Sequence, residues 1–553
     1  TTHQVIVTKG ATVSTPQSLT LAAAAPGIFA RDGSGQGQGI VVDAAGKYVD
    51  ASNPAAAGQV IVLYCTGLGE VTPSVATGAA ADQQGPVGGI RVTDTVAGGS
   101  FDIVILGGGS GGYACALRAS QLGLSVALIE KDKLGGTCLH RGCIPTKALL
   151  HAAEVADSAR ESEAFGVQAT LNGIDIAGVL KYKDGVVGRL YKGLQGLVKS
   201  RAITMVEGEG RLVAPNTVEV AGQHFIGRSV VLATGSYARS LPGLEISGRV
   251  LTSDQALELH EVPSSVIVLG GGVIGVEFAS VWRSFGSEVT IVEALPRLVP
   301  AEDEALSKAL ERAFRKRGIS FSTGVRFAGV TQDASGVTVS LEDGTTLTAD
   351  YLLVAVGRGP RTDGLGYAEQ GIAMDRGFVL TDERLRTNVP GVWAVGDIVP
   401  GLQLAHRGFQ QGIFVAEELA GLAPRVIDES GIPRVTYCEP EVASVGLTEA
   451  QAQERHGVEN ISSYEYNLGG NGKSQILGTQ GFIKLVRIVN GPVVGVHMVG
   501  ARVGELIGEG QLIVNWEADP EDVAALVHAH PTQNEAMGEA HLALAGKPLH
   551  AHA

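Results

Sequence analysis

The sequence predicts an α/β protein, because one strand, glycine turn, helix, strand pattern occurs twice within its 553 residues. Before the first copy, short β-type runs alternate with turn clusters and predict a small all-β sandwich. After the second copy, strand and helix patterns are interleaved and predict one mixed sheet in an α+β domain. The predicted domains are residues 1–98 (sandwich), 99–249 and 379–429 (two parts of the first Rossmann-like domain), 250–378 (second Rossmann-like domain) and 430–553 (α+β domain).

Composition and charge exclude several functions. The formal net charge is −15, which argues against binding to nucleic acid or to an anionic membrane surface, since both are negatively charged. No apolar run reaches the length of a membrane span, and LTLAAAAPGIFA near the N-terminus is too short, and too broken by Pro26, to be a signal peptide. Five cysteines in so long a chain do not form a secreted disulfide framework. We therefore expect a cytoplasmic protein.

The first 98 residues differ from the rest of the chain. They are poor in charge, and β-type runs such as HQVIVTK and GQVIVLYCTG alternate with clusters such as DGSGQGQG. The phrases APGIFARDGSGQGQG and ASNPAAAGQVIVLYCTGLGEVTP resemble a β-sandwich module that ends many large secreted bacterial proteins. AGGS at 97–100 is the predicted linker, and Cys65 is predicted to be a core residue. The segment shows no catalytic constellation, so a binding or display role stays open for it.

The first glycine turn lies between an apolar strand and an Ala/Leu-rich helix in FDIVILGGGSGGYACALRASQLGLSVALIE. Gly107, Gly109 and Gly112 form G-x-G-x-x-G there, and Glu130 ends the next strand 18 residues later. Glycines let the backbone approach a pyrophosphate at the helix N-terminus, and the acid can bond a ribose hydroxyl. The flanking strands and the spaced acid make this a specific prediction of dinucleotide binding.

The second glycine turn lies in VIVLGGGVIGVEFASVWRSFGSEVTIVE and has the same spacing to a strand-ending acid. The glycines are Gly270, Gly272 and Gly275, and the acid is Glu293. An acid with no arginine beside it before Arg297 favours NAD over NADP, whose 2′-phosphate needs cations. Two such folds in one chain predict two bound dinucleotides.

Three further apolar strands end in small-residue turns. VVLATGS and YLLVAVGRGP place Gly235 and Gly357 at such turns, and GVWAVGDI ends near Asp397. Glycine tolerates a positive φ and a close approach of another backbone or a ligand. These turns are therefore candidate contacts of the bound dinucleotides.

Two cysteines five positions apart dominate GGTCLHRGCIPTK at 135–147. Pro145 suits the first turn of a helix, and the Ala- and Leu-rich residues after it would continue that helix. Cys143 would then lie at a helix N-terminus, where the dipole lowers the pKa of a thiol. On a regular helix, Cα atoms five residues apart are about 8–9 Å from each other, beyond the roughly 7 Å that a disulfide bridges. A bonded pair therefore requires a departure from helix geometry, which Gly142 would help.

Three interpretations of the pair are open: two buried thiols, half of a metal site, or a redox-active disulfide. Metal pairs usually have two to four spacers and further Cys or His partners nearby. No cysteine lies between Cys143 and Cys438. We therefore predict a redox-active disulfide between Cys138 and Cys143, and no metal site.

The C-terminal segment carries a candidate acid–base pair in LVHAHPTQNEAMGEA. His530 precedes Pro531, and Glu535 follows five residues after the histidine. A carboxylate within reach of a histidine orients its ring for proton transfer. Taken alone, the histidine would be read as a surface residue at a helix start.

From about residue 101 to its end the chain resembles the FAD-dependent pyridine nucleotide–disulfide oxidoreductases, and within them the dihydrolipoamide dehydrogenases. The motifs that carry the resemblance are GGGSGG, GGTCLHRGCIPTK, LATGS, GGGVIGVEF, GVWAVGDI and HAHPTQNE. The resemblance implies that the first glycine motif and Glu130 bind the adenosine half of FAD. It also implies that Asp397 bonds the ribityl chain of FAD, and that the second glycine motif and Glu293 bind NAD.

The resemblance implies the chemistry as well. Lys147 would lie near the flavin and pair with Glu277, and His530 would be the catalytic base, oriented by Glu535. The implied reaction is oxidation of protein-bound dihydrolipoamide to lipoamide, with Cys138 as the outer thiol and NAD⁺ as the final acceptor. In the family the base reaches the disulfide of the other subunit, so residues 430–553 are implied to be a dimerisation domain and the protein a homodimer.

The implied partners are lipoylated proteins, either the acyltransferases of 2-oxoacid dehydrogenase-type complexes or the carrier protein of glycine cleavage. One alternative is an NADH-dependent reductase of another disulfide within the same family. A second is a fusion in which residues 1–98 are a binding or display part. Mercuric reductases and large thioredoxin reductases carry further C-terminal cysteines, whereas Cys438 is the last cysteine here.

Overall fold

The computed structural model describes residues 98–550 and, before them, the backbone of eight short strands between residues 2 and 66. The chain divides into two compact units, Thr1–Asp94 and Thr95–Ala553. The described strands of the first unit pair two by two, antiparallel. The predicted sandwich over residues 1–98 lies otherwise outside the described residues and stays a prediction.

The first sheet of the second unit has seven strands, of which five run parallel. In spatial order the parallel strands are Thr204–Glu207, Val126–Glu130, Gly99–Leu106, Gln223–Leu232 and Val392–Ala394. A hairpin of Gly210–Ala214 and Thr217–Val220 extends the sheet antiparallel. The Val, Ile and Leu side chains of the parallel strands are buried, as expected for strands that are covered on both faces.

Two helices on this sheet bring distant parts of the chain together. Helix Ser110–Gln121 follows the first strand and packs against helix Ala405–Leu419. Their backbones approach closely because both carry glycine at the contact. A Cβ on Gly412 would lie 2.2 Å from the carbonyl oxygen of Gly111. The chain thus returns to the first sheet after it has completed the second.

The second sheet has five strands, all of them parallel. In spatial order they are Val250–Thr252, Tyr351–Val354, Ser265–Leu269, Glu288–Glu293 and Ile319–Thr323. Helix Val273–Phe285 follows the central strand and is buried along most of its length. A separate antiparallel sheet consists of Phe327–Gln332, Val337–Leu341 and Thr346–Ala349. Each predicted glycine turn therefore lies between a parallel strand and a helix.

The C-terminal segment forms one five-stranded sheet, on which helices Val503–Asn515 and Glu535–Leu544 pack. In spatial order its strands are Arg434–Thr436, Glu441–Gly446, Val493–Gly500, Phe482–Ile488 and Ile461–Asn467. The prediction of a mixed sheet is wrong, because every neighbouring pair is antiparallel. The physical reason is visible at residues 489–492, a connection too short for a parallel crossover.

The remaining helices carry the cysteines or connect the sheets. They are Gly136–Arg141, Cys143–Glu161, Ile176–Ser200, Ser253–Ala256, Glu304–Lys316, Glu449–His456, Gly472–Leu477 and Pro520–Ala524. Two-residue strands Met374–Asp375 and Phe378–Val379 pair with each other. Across the part of the chain that the structure describes, no helix is both long and apolar enough to cross a bilayer.

Candidate active site

The two cysteines lie at a break between two helices. Helix Gly136–Arg141 contains Cys138, and helix Cys143–Glu161, which we call the active-site helix, begins with Cys143. Gly142 separates the two helices with φ −147° and ψ −111°, far from helical values. The chain therefore leaves helix geometry between the cysteines, as a reactive pair at this spacing requires.

The two cysteines are thiols in this structure and change each other's pKa values. The hydrogen bond with Cys138 lowers the pKa of Cys143; burial opposes this effect, but the Lys147 ammonium adds to it. The same hydrogen bond, followed by burial, raises the pKa of Cys138. These shifts favour Cys143, rather than Cys138, as the thiolate of the reduced pair.

Lys147 joins the active-site helix to the second dinucleotide domain. Its Nζ donates to the two carboxylate oxygens of Glu277 at 2.7 and 2.8 Å, and Nζ lies 4.6 Å from the centre of the Tyr437 ring. The Glu277 side chain is 3% exposed and also accepts the backbone amide of Tyr437 at 3.0 Å. Burial acts to lower the pKa of Lys147, but the Glu277 carboxylate outweighs it and raises the pKa. The lysine is thus held as a cation close to Cys143.

The first glycine turn fits the pyrophosphate of a dinucleotide. Gly107 has a φ of +111°, and a Cβ there would lie 2.2 Å from the carbonyl oxygen of Ala233. A Cβ on Gly112 would lie 1.8 Å from the carbonyl oxygen of Gly107. Gly109 caps helix Ser110–Gln121 without a side-chain hydrogen bond. The first amides of the helix are therefore left for an anion.

The second glycine turn repeats this geometry. Gly270 has a φ of +114°, and a Cβ there would lie 2.4 Å from the carbonyl oxygen of Ala355. A Cβ on Gly275 would lie 1.9 Å from the carbonyl oxygen of Gly270. Gly272 caps helix Val273–Phe285 without a side-chain hydrogen bond, and the space beside its Cα is open to 4 Å. The residues at this turn also fit a pyrophosphate.

Glu130 and Glu293 occupy equivalent places beside the two turns. Glu130 Oε2 accepts the amide of Gly108 at 2.7 Å, and Glu293 Oε2 accepts the amide of Gly271 at 2.6 Å. Each carboxylate thus lies at the end of its strand and faces its glycine turn, where a ribose would bind. Arg297 donates to two backbone carbonyl oxygens of the following loop. Its guanidinium is therefore engaged with the backbone, which agrees with a preference for NAD.

Asp397 lies in a single 3₁₀ turn, Gly396–Ile398, after the strand that returns to the first sheet. Its Oδ2 accepts the hydroxyl of Ser236 at 2.5 Å. The hydroxyl oxygen of Ser236 in turn accepts Nε of Arg358 at 2.7 Å. This chain of bonds joins residues from three separate parts of the sequence.

Sequence reasoning missed Ser236 and Arg358. It selected the glycines directly before them, Gly235 with φ +73° and Gly357 with φ +105°. The strands Ser236–Ala238 and Arg358–Pro360 pair antiparallel, so the two glycines lie at opposite ends of this short ladder. Adjacency to a selected glycine was the signal that could have found both residues.

His530 and Glu535 form the predicted pair. His530 Nδ1 lies 2.8 Å from Glu535 Oε1, and the other carboxylate oxygen accepts the amide of Thr532 at 2.9 Å. The His530–Pro531 peptide bond is cis. The His530 side chain is 78% exposed, and its bond to Glu535 is made through Nδ1.

The structure brings the predicted catalytic residues together in two groups. The cysteines, Lys147 and Glu277 form one group, and His530 with Glu535 forms the other. Among the hydrogen bonds of residues 98–550, none joins His530 to either cysteine. Within the same range, no group of three or more His, Cys, Asp or Glu side chains is arranged to hold a metal ion.

Comparison with known proteins places this site in a family. The pyridine nucleotide-disulphide oxidoreductase family matches residues 101–412, and its dimerisation domain matches residues 432–541. The dihydrolipoyl dehydrogenase of Bacillus subtilis is 41% identical over 471 residues, which cover 81% of this chain and 99% of the relative. The mitochondrial dihydrolipoyl dehydrogenase of Pisum sativum is 40% identical over 465 residues, which cover 81% and 92%.

Two solved structures are similar as well. LpdA from Mycobacterium tuberculosis has a TM-score of 0.75 at 26% identity, over 80% of this chain and 99% of that one. The HOCl-induced flavoprotein disulfide reductase RclA from Escherichia coli has a TM-score of 0.72 at 27% identity, again over 80% and 99%.

Fold and site thus define a flavoprotein disulfide reductase with a C-terminal dimerisation domain, and the chain belongs to the pyridine nucleotide-disulphide oxidoreductase family. Its curated relatives at 40–41% identity include the dihydrolipoyl dehydrogenases of a bacterium and a plant mitochondrion. FAD and NAD(H) are accordingly its cofactors, and both glycine turns have the geometry to hold them.

Proposed function

We propose that the chain is a dihydrolipoyl dehydrogenase, which oxidises protein-bound dihydrolipoamide to lipoamide and reduces NAD⁺. The observation that carries the proposal is the asymmetry of the cysteine pair. The pKa of Cys143, near Lys147, is lowered, whereas the pKa of Cys138, on the preceding helix, is raised. One stabilised leaving thiolate and one outer interchange thiol suit dithiol–disulfide exchange. The names of the relatives support dihydrolipoamide as the dithiol.

The cofactors are held by the glycine turns and by the carboxylates beside them. The proposed cofactor-binding residues are Gly107, Gly109, Gly112, Glu130, Lys147, Gly235 and Asp397, together with Gly270, Gly272, Gly275, Glu293 and Gly357. FAD, when bound, accepts the electron pair of the reduced cysteines and supplies a hydride to NAD⁺. The chain itself orients both nucleotides and holds the charges around the thiols.

Proton and thiol transfer are performed by the side chains. His530 takes the proton of one substrate thiol, and Glu535 holds the imidazolium through Nδ1. The substrate thiolate attacks Sγ of Cys138, the Cys138–Cys143 disulfide breaks, and Cys143 leaves as a thiolate held by Lys147. The second substrate thiol then attacks the substrate sulfur of the mixed disulfide and passes its proton to the departing Cys138. Lipoamide leaves with both cysteines reduced and one proton on His530.

The family's dimerisation domain supports a homodimer. His530 makes no bond to the cysteines of its own chain among the described residues, so we propose that it serves the thiols of the partner subunit. The proposed partners are a lipoylated acyltransferase or the glycine-cleavage carrier protein, in the cytoplasm. Nucleic acid and membranes are not among the proposed partners, given the net charge of −15.

The direct test is NAD⁺ reduction by dihydrolipoamide, measured on purified yellow protein. Similarity to a flavoprotein disulfide reductase makes NADH-dependent reduction of another disulfide the second candidate function. Reversible turnover with dihydrolipoamide and NAD⁺ supports the first function. A colourless but folded protein would exclude both, and NADH oxidation by another disulfide without dihydrolipoamide turnover would select the second.

We expect Lys147 and Glu277 to move the pKa of Cys143 in opposite directions. Lys147→Met removes a cation that lowers this pKa, so the pKa should rise. Glu277→Gln removes an anion that raises it, so the pKa should fall. The measurement is the pH dependence of the long-wavelength thiolate–flavin absorbance in the reduced protein.

The exposed Lys199 provides a charge-matched control, and Lys199→Met should leave this titration unchanged. Lys147→Met alone leaves the buried Glu277 without its cation, which destabilises the fold. The double variant Lys147→Met/Glu277→Gln avoids this and should give a smaller shift than Lys147→Met. Shifts of the same sign in the two single variants would contradict the electrostatic role.

Removal of residues 1–94 should change kcat and KM by no more than about twofold, as expected for a separate unit. The reason is that the second compact unit begins at Thr95 and contains every proposed site residue. Both constants are measured on FAD-loaded protein with and without the segment. A large loss of kcat in soluble, yellow protein would show that the first unit belongs to the active enzyme.

A further inference from the structure

The segment around His530 is anchored on both sides by one carboxylate. Glu509, on helix Val503–Asn515, accepts Nε2 of His528 at 2.9 Å with one oxygen and the side-chain amide of Asn534 with the other. His528 lies two residues before His530, and Asn534 lies four residues after it. Glu509 therefore bonds to both ends of residues 528–534, which we call the histidine loop.

The histidine loop depends on side chains for its position. Residues 527–533 belong to neither a helix nor a strand. Besides Glu509, Asn471 reaches the loop and donates to the carbonyl oxygen of Thr532 at 2.9 Å. The two histidines differ sharply, since the His528 side chain is 11% exposed and the His530 side chain is 78% exposed. One histidine is thus packed into the domain while the other is presented to the solvent.

The chemistry of the contacts makes Glu509 hard to replace. A carboxylate only accepts hydrogen bonds, so His528 and Asn534 must both donate to it. The His528 ring also lies against helix Glu535–Leu544, because a Cβ on Gly538 would approach its Nδ1 to 2.6 Å. Without Glu509, a largely buried imidazole N–H and an amide lose their acceptor, and the loop must rearrange to satisfy them.

We propose that Glu509 is a positioning residue for the His530–Glu535 pair. By holding His528 and Asn534 it places His530 where a substrate thiol can reach Nε2. The inference rests on the proposed function of His530 as the base and deepens it. His528 becomes an anchor of the loop rather than a second base. Proton transfer is sensitive to small displacements, so loss of the anchor slows the thiol half of the reaction.

The test compares two activities of the full-length holoenzyme. NAD⁺ reduction by dihydrolipoamide needs His530, whereas NADH oxidation with ferricyanide needs the nucleotide sites but no thiol base. Glu509→Ala should lower kcat with dihydrolipoamide by about 10- to 100-fold, the usual effect of a misplaced reacting group. The ferricyanide activity, the FAD content and the dimer mass should stay unchanged. Glu454→Ala, at an exposed glutamate of the same domain, is the control and should change neither activity.

Glu509→Gln provides the conservative rescue. Its amide oxygen can accept Asn534 and its amide nitrogen can donate to His528 after a tautomer change, so most of the dihydrolipoamide activity should return. If Glu509→Ala does not fold, Asn534→Ala removes one of the two anchors and should show the same split to a smaller degree. Equal losses in both activities, or no loss with dihydrolipoamide, would overturn the inference.

The proposed function is tested separately within the same series. The role of His530 as the base is refuted if the wild-type protein does not turn over dihydrolipoamide. It is also refuted if His530→Gln keeps full turnover, and neither result depends on the Glu509 variants. The positioning role of Glu509 alone is refuted if the wild-type protein turns over fully, His530→Gln loses this turnover and Glu509→Ala keeps it.

Discussion

Replacement of either active-site cysteine by serine should abolish turnover, but the two variants should differ in colour. Cys138→Ser leaves Cys143 at the start of the active-site helix, where the Lys147 ammonium lowers its pKa. The resting variant should therefore show the long-wavelength absorbance of a thiolate beside flavin. Cys143→Ser leaves only Cys138, whose burial still acts to raise the pKa of its thiol, and should show no such band. We expect both variants to lose about 10³-fold or more in kcat, because serine forms no disulfide intermediate.

Spectra and steady-state rates of the purified holoproteins check this expectation. Cys115→Ala is the control, because Cys115 is a buried free thiol on helix Ser110–Gln121 without a proposed role in exchange. It should keep both turnover and resting colour. If the band appeared in Cys143→Ser and not in Cys138→Ser, the roles of the two cysteines would be exchanged.

Since we propose that the active site is shared between subunits, mixing two inactive variants should restore activity. Cys138→Ser lacks the interchange thiol and His530→Ala lacks the base. If each site combines the cysteines of one subunit with His530 of the other, one site of the heterodimer carries both defects and the other carries neither. After subunit exchange, each heterodimer should reach about half the activity of the wild-type dimer, since one of its two sites is intact.

The measurement is dihydrolipoamide turnover against mixing ratio and incubation time, with heterodimers quantified by a tag on one variant. Homodimers of each variant, mixed without time for exchange, provide the background. If each site lay within one chain, every site of the heterodimer would carry one defect, and activity would stay at that background.

Local patterns predicted much of the site. Each glycine turn, its spaced acid and the strand before it lie within about 30 residues, the length of one βαβ unit, so the sequence predicts their geometry directly. The cysteine pair is also local, and its required departure from helix geometry occurs at Gly142. His530 and Glu535 are five residues apart, and their hydrogen bond at 2.8 Å was therefore predictable.

Contacts between distant parts of the chain were not predictable in this way. The backbone amide of Tyr437 donates to Glu277, 160 residues away. Neither the periodicity nor the composition of the sequence indicates this bond. Ser236 and Asp397 are 161 residues apart and meet because the chain returns to the first sheet. The C-terminal sheet was predicted as mixed because strand patterns indicate which segments are extended but not which neighbours they pair with.

By itself the sequence determined the family resemblance, the two dinucleotide folds and the candidate cysteine pair, since each depends on residues that are neighbours along the chain. The helix start already favoured a thiolate at Cys143, and the tertiary structure adds the hydrogen bond with Cys138 and the Lys147 charge, both of which lower the pKa of Cys143. The tertiary structure also decided how the residues around His530 are held, because Glu509 binds His528 and Asn534 from another helix. Electrostatic and hydrogen-bond energies depend on distances in space, and the sequence specifies those distances only through the fold.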